Sequence, residues 1–212
     1  PVIMLTDLDL GMNEHICDEL VWDDAISFDR GKVLSADELE SGARFGRYLD
    51  VDGDGIPYRT IAGTHPEKGA FFTRGTSRDE YAAYTEKGEA YQRNMERLAV
   101  KWATAPTYLP KPVLTERDSN QRIGVIHFGT SHEATREALE SLAAAGHTAN
   151  DLRVLAFPFQ EEVNAFIEAH DQVFVVEQNR DAQFKSLLVN ELEINPKSLI
   201  SVSYTHLRAH ET

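Results

Sequence analysis

With 212 residues, 21 basic and 35 acidic side chains and a formal net charge of -14, the chain can form one domain with its own core plus a smaller lobe. The negative surplus opposes nucleic acid and anionic membranes as partners, so any phosphate-bearing ligand needs a local basic pocket. Cys17 is the sole cysteine, which excludes an intrachain disulfide and a Cys-based metal or iron-sulfur site.

In chain order, Pro1-Val-Ile-Met-Leu5 reads as an apolar strand that opens abruptly, as if cut from a longer sheet. Thr6 to Asn13 is loop-like. Ser35-Ala36-Asp37-Glu38 has capping-box spacing and starts a short helix, and Asp50 to Gly55 turns sharply. From Ile56 to Thr76 no period is legible. Ser77-Arg78-Asp79-Glu80 is a second capping box, and Tyr91, Met95, Leu98 and Trp102 recur at helical spacing. Pro106, Pro110 and Pro112 then make a linker.

Beyond the linker the pattern becomes regular. Residues 122 to 128 form an apolar strand, and Gly129 turns into a helix with a third capping box at Thr130 to Glu133. That helix places Thr135, Ala138, Leu139, Leu142 and Ala145 on one face and stops at Gly146. Leu152 to Phe157 is the next strand, followed by a helix burying Phe159, Val163, Phe166, Ile167 and His170. Val173 to Val176 is the third strand, Glu177-Gln178-Asn179 its polar exit, and Phe184, Leu187, Leu188 and Leu192 the stripe of the following helix. Residues 194 to 202 hold a fourth strand. Continuous apolar strands joined through helices imply a doubly wound, mostly parallel sheet covered on both faces. Its ligands approach the carboxyl ends of the strands, at Gly129 to Ser131, Pro158 and Glu177 to Asn179. Residues 203 to 212 (SYTHLRAHET) break the pattern and read as a non-native tail.

Few residues carry chemistry on their own. Asp50-Val-Asp52-Gly-Asp54-Gly55 imitates a calcium loop, but Ile61 stands where the twelfth position needs a bidentate Glu, so an acidic surface turn is favoured. Gly129-Thr130-Ser131 could hold a phosphate on a helix N-terminus, yet it lacks the spaced glycines or Lys of nucleotide motifs, and a capped turn is favoured. Glu177, ending a buried strand, is a candidate perturbed carboxylate, more often a helix cap. His15 with Cys17 is too sparse for zinc. No metal site is expected. Residues 65 to 76 gather His65, Lys68, Arg74 and Thr76 with two aromatics in a stretch without periodicity, a composition that serves either binding or lobe packing. Arg74 beside Gly75 and Thr76 could grip a carboxylate or phosphate.

Several longer strings resemble the alpha subunit of 2-oxoacid:ferredoxin oxidoreductases, most closely the 2-oxoglutarate type. They are Leu8 to Asn13, Arg47 to Asp50, Asp52 to Arg59, Gly63 to Pro66, Lys68 to Thr76, Asn94 to Leu98 and Val175 to Asp181. The resemblance implies a C-terminal fragment. Residues 1 to 34 would end a thiamine pyrimidine-binding domain, 35 to 120 would be an irregular connecting α+β segment with helices, and 121 to 202 a transketolase C-terminal-like domain. It further implies oxidative decarboxylation of a 2-oxoacid to an acyl-CoA. Thiamine diphosphate, Mg and an iron-sulfur cluster would lie mainly on a partner beta subunit, CoA would be cosubstrate, and ferredoxin would take the electrons through the complex. In the family the segment touching thiamine and the 2-oxoacid lies upstream of these strings, so no catalytic residue carries over, and the isolated fragment is expected to be inactive. Thr6 to Asn13 and His65 to Thr76 would border the subunit interface near the active-site mouth, making His65, Lys68, Arg74 and Thr76 the candidate substrate, CoA or interface residues. The alternative reading is a non-catalytic doubly wound module that binds a small anion at Gly129 to Ser131, and a third is a calcium-binding surface protein. A reducing, cytoplasmic location with no membrane span is expected, because no run of about 18 apolar residues or signal-like N-terminus occurs.

Overall fold

Strands that are apolar on both sides must be covered on both sides, and the three legible runs of the second half pair side by side accordingly. In a computed structural model, which describes residues 3–6, 11–12, 14, 16–20, 22–42 and 44–202, they are β2 (Ile123–Phe128), β3 (Asn150–Val154) and β4 (Gln172–Val176). With β1 (Val113–Thr115) and β5 (Leu199–Val202) they form one sheet of order β1-β3-β2-β4-β5. All pairings are parallel except that of β1 with β3, so the doubly wound, mostly parallel sheet is as expected. The chain divides into two units, Pro1–Asp18 with Leu109–Thr212, and Glu19–Tyr108.

The first unit has helices on both faces of its sheet. α3 (Ser131–Ala144) lies against Val125, Phe174 and Val176, which pack with Leu139 and Ala149. On the opposite face, α4 (Glu161–Ala169) and α5 (Gln183–Leu192) enclose Ile126, Leu152, Val173, Val175 and Leu199 with Val163, Phe166, Ile167 and Leu188. Each such side chain contributes about 1.5–3 kcal/mol by leaving water. Of the stripes expected for α4 and α5, Val163, Phe166, Ile167, His170, Phe184 and Leu188 are buried, and Phe159, Leu187 and Leu192 are half-buried. On α3 only Thr135 and Leu139 of the expected stripe are buried, and Leu142 is exposed.

Four details depart from the sequence reading. Ile3 to Leu5 form no strand, while Pro1, Val2, most of Thr6 to Asn13, His15 and the tail lie outside the described residues. The second strand runs from Asn150 to Val154 instead of Leu152 to Phe157, because Asn150 and Asp151 find polar partners inside and Leu155 to Phe157 lead toward Pro158. β1 was hidden by its three-residue length between prolines and turns. The capping box at Thr130 does not form: the Thr130 hydroxyl accepts from Gln178 Nε2 at 2.9 Å, and Glu133 pairs with Arg136 at 2.8 Å.

The second unit is built from turns around two helices, α1 (Ala36–Ser41) and α2 (Gly88–Thr104). α1 carries the expected capping box, with Glu38 N–H donating to Ser35 Oγ and Ser35 N–H to Glu38 Oε2 at 2.7 Å. Ser77 to Glu80 start no helix. The Asp79 carboxylate instead accepts the N–H groups of Tyr81 and Ala83, each at 2.9 Å, and a bridge joins Arg78 to Tyr84, so the segment folds back on itself. α2 begins at Gly88 instead of at Arg78, where a box capped by Ser77 would start it, and the stripe of Tyr91, Met95, Leu98 and Trp102 is on its exposed side.

Glu177 is fully buried, and its carboxylate accepts the N–H groups of Phe184 at 2.9 Å and Lys185 at 3.2 Å, at the start of α5, together with the Asn179 side chain. Replacing Glu177 by Ala strands those donors in the interior. Unfolding in denaturant should show a loss of roughly 2–4 kcal/mol, and less for Glu177→Gln, which keeps an acceptor in place.

Candidate functional site

The four residues singled out at 65 to 76 separate into two groups. His65 Nδ1 accepts the N–H groups of Glu67 (3.1 Å) and Lys68 (2.9 Å), which leaves Nε2 to donate to Glu40 at 3.0 Å. Lys68 Nζ reaches the same carboxylate at 2.9 Å and the Glu40 carbonyl at 3.2 Å. Lys68, then His65, hold the Glu40 carboxyl below the ordinary range. Gly69 allows this closure: at φ +82°, a Cβ there would lie 2.8 Å from Thr60 Cγ2 and 3.0 Å from Leu39 Cδ1. Arg74 does not join them. Its guanidinium lies 6.0 Å from the centre of the Tyr84 ring, and Thr76 is exposed beyond it.

Sequence reasoning missed the residues facing Lys68. Arg44, Phe45, Phe71 and Tyr81 line a hollow with Lys68, and Arg44 lies over the Tyr81 ring at 4.2 Å. The alternation of cations and rings in Arg44-Phe45-Gly46-Arg47-Tyr48 was the available signal.

The acidic turn at 50 to 55 is occupied from within. The Asp50 carboxylate accepts the N–H groups of Gly53 at 2.9 Å and Gly55 at 2.8 Å. Lys32 Nζ sits 2.6 Å from both Asp52 and Asp54, where a cation would be drawn. Burial pulls the Lys32 ammonium down, but the two carboxylates more than offset it and the net shift is upward. Gly55, at φ +76°, meets α2 so closely that a Cβ would lie 2.2 Å from Lys101 N.

In the first unit, the loops after β2 and β4 leave toward opposite faces, which opens a crevice between adjacent strands at the carboxyl end of the sheet. The Gln178–Thr130 bond spans it, and Glu177 is spent on α5. On the α3 face, His127 Nε2 lies 3.2 Å from the buried Asp151 carboxylate, which also takes the Arg117 guanidinium. Burial pushes Asp151 up, but His127 and Arg117 outweigh it and the carboxyl ends below its usual range. The His132 ring stacks on His127 with centroids 5.3 Å apart. Burial, then the charges of Arg153 and His127, push the His132 pKa below its usual 6.5. This arrangement holds β1, β2 and β3 together and presents no free nucleophile with its base.

No known family model matches the sequence. No curated protein matches it either. Among solved structures, the chain is similar to 2-oxoglutarate:ferredoxin oxidoreductase from Magnetococcus marinus with 2-oxoglutarate, coenzyme A and succinyl-CoA bound, with a TM-score of 0.67 and 18% sequence identity. The likeness covers 77% of this chain and 28% of that one, so this chain spans under a third of that protein's length. At this identity the likeness shows the fold. Among the described residues, no helix is long and apolar enough to cross a membrane.

Two outcomes follow from the charges described. The depressed His132 pKa means that the unfolded chain takes up its proton first, so stability is full above pH 6.5 and falls as pH drops below it. Thermal midpoints measured from about pH 7.5 to 5.5 should decline less steeply in His132→Gln. Replacing Lys32 by Met removes the ammonium held by Asp52 and Asp54. Differential scanning calorimetry should then find a calcium-dependent rise in midpoint in the variant that the parent lacks.

Proposed function

We propose that this chain is a C-terminal part of the alpha subunit of a 2-oxoacid:ferredoxin oxidoreductase, with 2-oxoglutarate as the oxoacid. The observation that carries the reading is the agreement of sequence strings with the fold. Long unusual strings such as Lys68 to Thr76 and Val175 to Asp181 resemble that subunit, and the fold is similar to a 2-oxoglutarate:ferredoxin oxidoreductase over 77% of the chain. In this reading residues 1 to 34 end a pyrimidine-binding domain, 121 to 202 are the transketolase C-terminal-like domain, and 203 to 212 are foreign to the protein. The complex is cytoplasmic.

Thiamine diphosphate, when bound, supplies the carbanion chemistry of decarboxylation. The described residues do not fit it. Its aminopyrimidine requires a sheltered carboxylate, and the buried Glu177 is fully engaged by α5 while the buried Asp151 is engaged by His127 and Arg117. In this reading the thiamine ring, with Mg and the cluster, is held by other parts of the alpha subunit and by a beta subunit. This chain contributes a docking and substrate-border surface at His65, Lys68, Arg74 and Thr76. The exposed Arg74, resting on Tyr84, is the cation on that border for CoA or the oxoacid.

The test is co-expression of the complete alpha subunit with a diphosphate-binding beta subunit of this family. The pair should co-purify and reduce ferredoxin only when both 2-oxoglutarate and CoA are present. Arg74→Ala should raise the KM for one of the two substrates or weaken assembly by about tenfold. A chain that binds no beta subunit, and whose Gly129 to Ser131 turn instead takes up inorganic phosphate, would establish the small-anion-binding module.

A further inference from the structure

In a chain with 35 acidic side chains, Arg44 and Arg47 have no carboxylate partner among the described residues. Both rest on aromatic rings: Arg44 lies 4.2 Å from the centre of Tyr81, and Arg47 lies 5.4 Å from Tyr48 and 5.7 Å from Phe71. Beside them is a hollow of about 430 Å³ lined by Leu39, Arg44, Phe45, Lys68, Phe71 and Tyr81, a size that suits a small organic ligand. Cations and rings thus line one hollow in a protein whose overall charge is strongly negative.

We propose that this hollow binds a ring-bearing organophosphate of mononucleotide size. The Arg44 guanidinium takes the phosphate, and the base stacks on Phe71. A guanidinium already laid on Tyr81 loses little freedom when its N–H edge takes up an oxyanion, and its planar fork matches two phosphate oxygens at once. Phe71 is 45% exposed and is steadied by Phe45 at a centroid distance of 6.0 Å, so it offers a supported ring for a base. Glu40, which draws Lys68 and His65, is not among the residues lining the hollow, so the lining itself carries no carboxylate. A nucleic-acid strand is disfavoured because its many phosphates would meet a surface with a net charge of -14. The inference stands on this unit's own geometry; Lys68 is shared with the border surface proposed above, but ADP binding by this chain without a beta subunit tests the hollow apart from the oxidoreductase reading.

Titration calorimetry of the full chain with ADP tests it. One site with a Kd between about 10 and 500 µM is expected. Arg44→Gln should weaken binding about tenfold or more, Arg44→Lys less, since it keeps the charge and loses the fork. Phe71→Leu should weaken it at least about fivefold, and adenosine and inorganic phosphate should each bind at least about tenfold more weakly than ADP. Unchanged thermal midpoints in the variants show that lost affinity is not lost fold, and the milder Arg44→Lys serves if Arg44→Gln unfolds. No heat and no shift in midpoint at about 10 mM ADP would overturn the proposal. So would ADP binding that both Arg44 and Phe71 variants leave intact, or inorganic phosphate binding as tightly as ADP.

Discussion

A carboxylate sealed at the end of β4 sets the conditions for the whole sheet. Glu177 is fully buried, takes the N–H groups of Phe184 and Lys185 in the first turn of α5 and, through its own N–H, bonds the Val202 carbonyl at 3.1 Å. One residue therefore ties β4, β5 and α5 at the edge where the sheet opens toward ligands. An anion at a helix N-terminus is favourable because the dipole and the free N–H groups both attract it, and here the chain provides that anion itself. Lys185 completes the join by donating to the Leu199 carbonyl at 2.8 Å. The carboxyl end of β4 is thus closed by internal bonds.

The other polar groups of this unit follow the same logic. Asp151 is buried on the α3 face between Thr115 and Val125, and it is tolerated because His127 and Arg117 both bond it. Arg117 also donates to the Ala149 carbonyl, and its backbone N–H to Asn150, so the turn after β1 is held to β3 by polar contacts where apolar ones are scarce.

Legibility followed periodicity. The helices at 131 to 144, 161 to 169 and 183 to 192 and the strands before them announced themselves, because a half-buried helix and a fully buried strand leave different apolar spacings. Capping boxes were a weaker guide. Of the three, only Ser35 to Glu38 formed, because Thr130 found Gln178 and Asp79 closed a turn on its own neighbours. Those competing bonds are tertiary or short-range alternatives that spacing cannot rank. At residues 65 to 76 the pairing of His65 with Lys68 depended on Glu40, 25 residues earlier in the chain, and Arg44 and Tyr81 entered the same neighbourhood through turns without period. The calcium-like turn illustrates the reverse: the residues were legible, and the partner that occupied them, Lys32, was not.

The antiparallel edge strand carries a consequence for how this unit assembles. β1 pairs with β3, with Val113 opposite Arg153, while β2 lies between them in sequence and on the far side of β3 in space. No hairpin can form between β1 and its chain neighbour. The register of β1 with β3 closes 40 residues of chain, from Val113 to Arg153, against 26 from Gly124 to Asn150 for the parallel crossover, so three residues of strand must offset the larger closure entropy.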